Sequence, residues 1–141
     1  MAGAYSKVVR SYIMSHVPTK NTTPEMIVRK FLHSQGFRYR LHPKNLPGKP
    51  DIVLPKYKIV IFVNGCFWHG HFSCKEFRPA KTNIEFWNRK IQSNVDRDKR
   101  NFELLTKAGW NVITIWECGL GKDSVNNTLS NLVYAIKLNV T

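Results

Sequence analysis

The sequence has few acidic residues. Its 141 residues include nine Asp and Glu against 22 Lys and Arg, which gives a formal net charge of +13. The acids are scarcest in residues 1–50, where Glu25 stands alone among nine basic side chains. An excess of this size favours a polyanionic partner, most often nucleic acid. A ribosomal protein, a histone-like protein and a nuclease all remain compatible with it.

Long hydrophobic runs and cysteines are also scarce. The longest apolar run, Ile59 to Val63, is far too short to cross a membrane, and the first residues lack a signal-peptide core. Three cysteines without disulfide-dense spacing argue against a secreted scaffold. The length suits one domain, and a content of 43% hydrophobic residues is enough for a globular core. We therefore expect a single domain in a reducing cytoplasm, away from membranes.

Hydrophobic periodicity predicts an α/β protein. Thr23-Pro24-Glu25 is typical of a helix start with a hydroxyl cap, and Gly36 marks its end. The predicted strands are Phe37–Leu41, Asp51–Leu54, Lys58–Asn64 and Asn111–Glu117, and the later helices are Asn83–Ala108, as one helix or two, and Lys122–Leu138. We predict a basic arm or short helix over residues 1–22. One domain follows over 23–141, with a central mixed β-sheet flanked by helices.

Thiol and imidazole side chains concentrate in one irregular stretch. Cys66, His71 and Cys74 have the spacing C-x4-H-x2-C, and Cys118 follows the last predicted strand. Zinc prefers these ligand types, and four of them close a tetrahedral structural site. The alternative is a set of unrelated thiols and surface histidines. His69 is a spare ligand or, if it is free, an imidazole suited to proton transfer.

Three of the few carboxylates are candidates for chemistry. Asp51 opens an apolar strand, Glu25 lies in a first helical turn, and Asp98 falls on the apolar face of the long predicted helix. The other members of that face are Ile91, Val95, Phe102 and Leu105. Asp98 is therefore predicted to be buried and to need a partner. Each has a structural alternative: Asp51 as a turn or strand-edge residue, Glu25 as a residue that interacts with the helix dipole, and Asp98 as a member of a salt bridge. Carboxylates at a nucleic-acid surface also suit a Mg²⁺ site for phosphodiester hydrolysis.

Two aromatic pairs stand outside the obvious core pattern. Phe67-Trp68 lies in the Cys/His stretch, and Phe86-Trp87 opens the long helix. Such pairs can stack on bases or wedge between them, whereas the alternative is core packing, which we prefer for Phe86. Trp68 is the stronger wedge candidate, and Met14 in the basic N-terminal segment is a weaker one.

Several of these motifs together resemble a known family. They are Pro47–Asp51, Val60–His69, Glu85–Trp87, Asn94–Asp98, Gly109-Trp110 and Trp116–Cys118. In order and spacing they resemble the very short patch repair (Vsr) endonucleases, from about Arg10 to Cys118. The resemblance implies a restriction-endonuclease-like fold. It also implies Mg²⁺-dependent nicking of double-stranded DNA beside a T:G mismatch left by deamination of 5-methylcytosine.

The resemblance also implies roles for individual positions. Asp51 matches the catalytic aspartate that holds Mg²⁺, and the main-chain carbonyl of Val63 matches a second metal contact. His69 matches the catalytic histidine, and Glu25 and Asp98 match acidic positions of the active site. The matches to structural zinc ligands are Cys66, His71, Cys74 and Cys118.

The remaining implied roles concern DNA. Phe67, Trp68 and Trp87 match an aromatic wedge that enters the duplex near the mismatch, and Met14 matches a residue that enters from the minor-groove side. We expect the basic segment before Asp51 to contact the DNA backbone, and we select Lys20 and Lys49 from it.

The sequence departs from the family at two places. Well-known members have Thr-His where this chain has Val63-Asn64, and the stretch between His69 and Cys74 is one residue longer. The main-chain carbonyl at position 63 can bind a metal ion whatever the side chain is, so valine is compatible with this role. Asn64 stays a candidate active-site position, but an amide cannot exchange a proton near neutral pH, so a role there is weakened or reassigned.

Two other functions compete with mismatch nicking. One is a site-specific nicking or cleaving endonuclease of a mobile element or restriction system without mismatch specificity. The other is a non-catalytic, zinc-stabilised DNA-binding protein, which Asn64 favours. For the main interpretation we expect a monomer in the bacterial cytoplasm, associated with the nucleoid. Its partners would be mismatched double-stranded DNA and, as further candidates, mismatch-repair proteins.

Overall fold

The structure is a computed structural model that describes residues 21–74 and 77–138. The predicted arm over residues 1–22, with Met14 and Lys20, lies outside the described residues except for its last two positions. Its boundary with the rest of the chain stays a prediction. Within the described ranges, no helix combines the length and the apolar character needed to cross a bilayer.

Helices and strands alternate as the periodicity predicts. Helices α1, α2 and α3 cover Thr23–Ser34, Ile84–Lys107 and Val125–Leu138. Strands β1, β2, β3 and β4 cover Arg40–Leu41, Ile52–Leu54, Ile59–Asn64 and Asn111–Trp116. Short 3-10 helices at Pro55–Tyr57 and Glu117–Leu120 follow β2 and β4. The first strand is shorter than predicted, since only its last two residues pair with β2.

The four strands form one mixed sheet in the order β1-β2-β3-β4. β1, β2 and β3 pair in antiparallel fashion, whereas β3 and β4 are parallel and are connected through α2. Asn64 at the end of β3 lies opposite Trp116 at the end of β4. Cys66 and Cys118, each two residues beyond these positions, therefore leave the sheet at the same edge.

The sheet packs on both faces. One face carries a core formed with α1 and α3, whose buried members are Val28, Leu32, Ile52, Leu54, Ile59, Ile61, Ile115, Leu120, Leu129, Leu132 and Ile136. The other face carries Val53 and Val60, which pack against Leu105 of α2. Burial of each such side chain contributes about 1.5–3 kcal/mol, so this core holds the sheet edge in a fixed shape.

Helix α1 begins with the hydroxyl cap and proline that its sequence predicts. The cap is Thr22, one residue earlier than expected, and its Oγ1 accepts the N–H of Glu25 at 3.4 Å. Pro24 occupies the first turn, where a missing N–H costs nothing. The cap and the buried Val28 and Leu32 together fix Glu25 at the start of the helix, facing inward.

Helix α2 is one continuous helix, so the break that the sequence allowed is absent. Two expectations about it are wrong. Asp98 is not buried, since its side chain is 35% exposed. Phe86 does not pack in the core, since it is 54% exposed in the first turn. The physical reason is that only Leu105 of the apolar stripe reaches the sheet, whereas Ile91 and Val95 face the Cys/His loop.

Candidate active site

A cleft of about 650 Å³ opens where β3 leaves the sheet. Five residues selected from the sequence line it, namely Lys49, Asp51, Val63, Asn64 and His69. Glu25 lies against Asp51, and Asp98 lies against His69. The structure thus brings the predicted catalytic set together around a single cavity.

Asp51 stands on the floor of this cleft, just before β2. Its Oδ2 accepts the N–H of Val63 at 2.7 Å, which fixes the carboxylate beside the end of β3. Its pKa is raised to about 6, mainly by burial and in smaller part by the neighbouring Glu25 carboxylate. The Val63 hydrogen bond and the imidazoles of His42 and His69 oppose that rise. A carboxylate of this kind favours an added cation.

Glu25 lies next to Asp51, in the first turn of α1. Its carboxylate is 1% exposed and accepts bonds from several donors. The shortest come from Nε2 of His42, at 2.9 and 3.1 Å from the two carboxylate oxygens. Arg29 Nη1 at 3.3 Å and the main-chain N–H of Asn21 at 3.2 Å complete the set. The donors offset the cost of burying this charge.

A second carboxylate–imidazole pair closes the other side of the cleft. Nδ1 of His69 lies 2.5 Å from Oδ2 of Asp98. Because a carboxylate accepts only, Nδ1 carries the proton in this pair, and Nε2 is the nitrogen left to accept or donate a proton elsewhere. This orientation is the one that a general base requires.

The loop after β3 holds His69 and packs closely on α2. Gly70 has a φ of +65°, and a Cβ there would lie 2.8 Å from Val95 and 3.0 Å from Ile91. Nδ2 of the buried Asn94 donates to the main-chain oxygen of Trp68 at 2.9 Å. Two contacts from α2 therefore set the position of the loop.

The predicted zinc ligands also meet. One atom from each of Cys66, His71, Cys74 and Cys118 lies within 4.8 Å of the others. His71 stacks on the Trp116 ring at 4.2 Å, and its Nδ1 lies 3.5 Å from the Cys118 sulfur. Burial is the main cause that raises the pKa of the Cys66 thiol to about 12, and burial also raises the pKa of the Cys118 thiol. A thiol with a raised pKa releases its proton readily only when a cation binds the sulfur in its place, and three sulfurs with one nitrogen suit zinc.

The aromatic side chains form one cluster beside the cleft. Phe67 contacts both Trp68 and Trp87 edge to face, at 5.8 and 5.6 Å between ring centroids. Trp68 and Trp87 contact each other at 5.7 Å. All three rings are half-buried, so part of this predicted wedge faces solvent.

Three residues of the site were missed by sequence reasoning. His42 had a signal, since it directly follows a predicted strand and precedes the Pro/Gly loop that leads to Asp51. Arg97 lines the cleft beside Asp98 and belongs to the Asn94–Asp98 motif, from which only Asp98 was selected. Asn94 occupies the position three residues after Ile91, where a polar residue among buried neighbours marks a specific hydrogen bond.

Comparison with known proteins decides the family. The family model described as DNA mismatch endonuclease Vsr matches residues 2–76. The DNA mismatch endonuclease Vsr of Escherichia coli K12 is 42% identical over 120 residues, which cover 85% of this chain and 76% of that protein. The chain belongs to the Vsr family. The resemblance carried by the sequence motifs is thereby confirmed.

Two further relatives cover most of the chain. The type II nicking enzyme V.NmeAIP of Neisseria meningitidis serogroup A is 46% identical over 138 residues, 97% of this chain and 98% of that one. The type II nicking enzyme V.XorIIP of Xanthomonas oryzae is 49% identical over 111 residues, 79% of this chain and 81% of that one. The Vsr-family chain is a DNA endonuclease, and its substrate is DNA.

A solved structure supports the fold of this Vsr-family chain. The catalytic domain of the homing endonuclease I-Bth0305I matches with a TM-score of 0.60 and 22% identity, over 86% of this chain and all of that one. The restriction-endonuclease-like fold is confirmed. The non-catalytic DNA-binding alternative loses its support, because family and relatives are endonucleases.

Proposed function

We propose that this chain nicks double-stranded DNA at a T:G mismatch, with Mg²⁺ at Asp51, in very short patch repair of deaminated 5-methylcytosine. The observation that carries the proposal is the cleft itself. Asp51 and His69 line one cavity of a Vsr-family endonuclease, with the buried Glu25 next to Asp51 and with Asp98 bonded to His69. These are the groups that phosphodiester hydrolysis needs.

The oxygen donors of the cleft fit Mg²⁺. Asp51 and the Val63 carbonyl would hold the ion, which when bound neutralises negative charge at the scissile phosphate. The fit is supported by the two adjacent carboxylates, since the Glu25 charge raises the pKa of Asp51. Glu25 is fixed by its own donors, and a cation beside both carboxylates would offset their mutual repulsion.

His69 is the residue that would activate the attacking water. Asp98 holds its Nδ1 proton, so Nε2 is the nitrogen available to take a proton from water. Asn64 lines the same cleft and retains an amide that can orient a water or a phosphate oxygen. It takes no proton, so proton transfer depends on His69.

Three basic side chains line the cleft, where they would contact the phosphates of the DNA backbone. They are Lys44, Lys49 and Arg97, which stand on the Pro/Gly loop and on α2. Lysine and arginine neutralise phosphates without reading sequence. Recognition of the mismatch would depend on the half-buried rings of Phe67, Trp68 and Trp87, and on Met14 and Lys20 in the N-terminal arm.

We further propose that zinc occupies the Cys66, His71, Cys74 and Cys118 cluster and has a structural function. The cluster joins the loop after β3 to the end of β4, and so supports both His69 and the aromatic wedge. A monomer in the bacterial cytoplasm at the nucleoid, acting with mismatch-repair proteins, completes the proposal.

The decisive experiment compares matched duplexes. Radiolabelled duplexes with T:G or T:A at one position, in a randomised flanking sequence, are incubated with the protein and Mg²⁺. We expect the protein to nick the T:G duplex alone, and we expect the Asp51→Ala variant to nick neither duplex. Equal nicking of both duplexes would reject mismatch specificity, and no nicking of either would reject the proposed activity.

A second candidate is a site-specific nicking enzyme without a mismatch requirement. It is favoured by Asn64, where well-known family members have histidine, and by relatives whose names describe type II nicking enzymes. Under this alternative the same assay shows cleavage of the T:A duplex within one flanking sequence.

A further inference from the structure

His42 connects two acidic residues of the cleft that lie on different elements. Its main-chain N–H donates to the main-chain carbonyl of Asp51 at 3.1 Å. Its ring Nε2 lies 2.9 and 3.1 Å from the carboxylate oxygens of Glu25. One ligand atom from each of these three residues lies within 4.8 Å of the others. One residue thus links α1 to the strand that follows Asp51.

The other donors to Glu25 cannot provide this link. Arg29 is on α1 itself, and Asn21 immediately precedes the helix cap, so both move with the helix. Among the described contacts of Glu25, only His42 belongs to the β1–β2 side of the cleft. The distance between the two carboxylates therefore depends on His42.

The backbone of His42 is adapted to this function. Its φ is +46°, in the left-handed region that residues other than glycine rarely occupy. Strained residues of this kind are concentrated at functional sites, where the surrounding structure over-determines them. With this backbone conformation the main chain of His42 bonds to Asp51 while its ring bonds to Glu25.

We infer that His42 is a positioning residue that holds Glu25 at a fixed distance from Asp51, and thereby sets the affinity of the cleft for a divalent cation. The inference rests on the proposed function of the cleft. It adds an imidazole at a position that sequence reasoning did not select, on the wall of the cleft where Asn64 replaces the usual histidine.

Two substitutions distinguish the role of the His42 side chain from that of its main-chain conformation. His42→Asn keeps a residue that tolerates the left-handed region, but its amide is too short to reach Glu25. His42→Gln places an N–H donor at the same number of bonds from the backbone as Nε2 of histidine. His33→Asn is the matched control, since His33 is exposed in the last turn of α1.

The primary readout needs no catalysis. Titration of the protein with Mn²⁺ alone, by calorimetry, gives the affinity of the cleft for a divalent cation. We expect His42→Asn to weaken it about 10- to 100-fold and His42→Gln to recover about tenfold of the loss. A zinc-loaded protein is used throughout, and thermal unfolding confirms that each variant is folded.

The nicking rate provides the second readout. His42→Asn should lower the single-turnover rate by a similar factor without changing DNA affinity. It should cause no further loss in a Glu25→Ala background, because that change already removes the carboxylate that His42 contacts. Wild-type Mn²⁺ affinity in His42→Asn, or no recovery in His42→Gln, would overturn the inference. If the wild-type protein binds Mn²⁺ but nicks no duplex, the proposed function fails while the titration still decides on His42.

Discussion

Nδ1 of His69 lies 2.5 Å from Oδ2 of Asp98, although the two residues come from a loop and a helix 29 positions apart. Asp98→Asn keeps an oxygen acceptor at this place but removes the charge that stabilises a protonated imidazole. We expect the single-turnover nicking rate to fall by about 10²-fold, the lower range for loss of general acid–base assistance. DNA affinity should change little.

The control for this change is on the same helix. Asp96 is exposed and accepts a bond from Gln92 at 3.0 Å, within α2 itself. Asp96→Asn removes the same charge from the protein without touching His69, so its rate should match that of the wild type. Equal rates in Asp98→Asn and the wild type would show that His69 works without its carboxylate.

The raised pKa of Asp51 predicts a pH dependence of stability in the metal-free cleft. The folded state holds the proton up to about pH 6, whereas the unfolded state releases it near 3.8. Stability therefore falls as pH rises between these values, by up to about 3 kcal/mol at roughly 1.4 kcal/mol per unit. Asp51→Asn should remove this fall, so it should be more stable than the wild type at pH 7.5 but not at pH 3.5.

Denaturant unfolding at several pH values, with cysteine ligands saturated by zinc and Mg²⁺ absent, measures this difference. Added Mg²⁺ should stabilise the wild type above pH 6, where Asp51 is ionised, and have no effect on Asp51→Asn. A wild-type stability that stays constant from pH 4 to 7 relative to Asp51→Asn would contradict the expected burial of this carboxylate.

Zinc removal should unfold more than the cluster itself. Cys74→Ser deletes one of four ligands that join the loop after β3 to β4. We expect about one bound zinc per wild-type chain, loss of that zinc in the variant, and a fall in Tm of about 10 °C, equivalent to about 3 kcal/mol. Elemental analysis and calorimetry measure the two effects. Ser73→Ala, next to the ligand and exposed, should keep both metal and Tm.

Much of the site was predictable because its residues carry strong local signals. Cys66, His71 and Cys74 share one loop, and the apolar strands on either side of α2 place Cys118 at the same sheet edge. Asp51 was predictable for a similar reason, since it directly precedes an apolar strand. Parallel pairing of β3 with β4 then brings these short-range motifs together.

The rest depended on long-range packing that no local pattern encodes. The burial of Asp98 was wrongly predicted because helical periodicity gives a face but not what lies opposite it, and the face meets a loop instead of the sheet. His42 was missed because its partner Glu25 is 17 residues earlier, on another element. Phe86 was placed in the core because helix length alone does not say which turns extend past the sheet.

The proposed aromatic wedge predicts that Trp68→Ala weakens the preference for mismatched DNA and leaves the nicking reaction itself intact. Trp68→Ala removes a half-buried ring that contacts Phe67 and Trp87. If the ring stacks in the duplex, its loss weakens binding of T:G duplex by about 1–3 kcal/mol. Phe102→Ala is the control, since that ring is 49% exposed far along α2. Fluorescence anisotropy with T:G and T:A duplexes measures the effect, and unchanged T:G affinity would exclude Trp68 from the wedge.

Two glycines with similar backbones separate conformational strain from crowding. Gly36 and Gly70 have φ values of +81° and +65°, so a side chain is strained at both. A Cβ at Gly36 meets nothing within 4 Å, whereas one at Gly70 would lie 2.8 Å from Val95 Cγ2. Gly36→Ala should therefore cost only the left-handed strain, about 1–3 kcal/mol. Gly70→Ala should cost more, because the loop must also move away from α2.

The nicking rate and zinc affinity of the two alanine variants test whether the close packing of Gly70 on α2 positions the loop. Movement of the loop at Gly70 displaces its neighbours His69 and His71, so Gly70→Ala should lower both the nicking rate and zinc affinity even at temperatures where the protein stays folded. Gly36→Ala should keep both at wild-type values, because that turn ends α1 away from the cleft. Competition with a chromogenic chelator and single-turnover nicking at 20 °C below each variant's Tm provide the measurements. Equal zinc affinity in the two variants would show that packing of Gly70 on α2 does not set the loop.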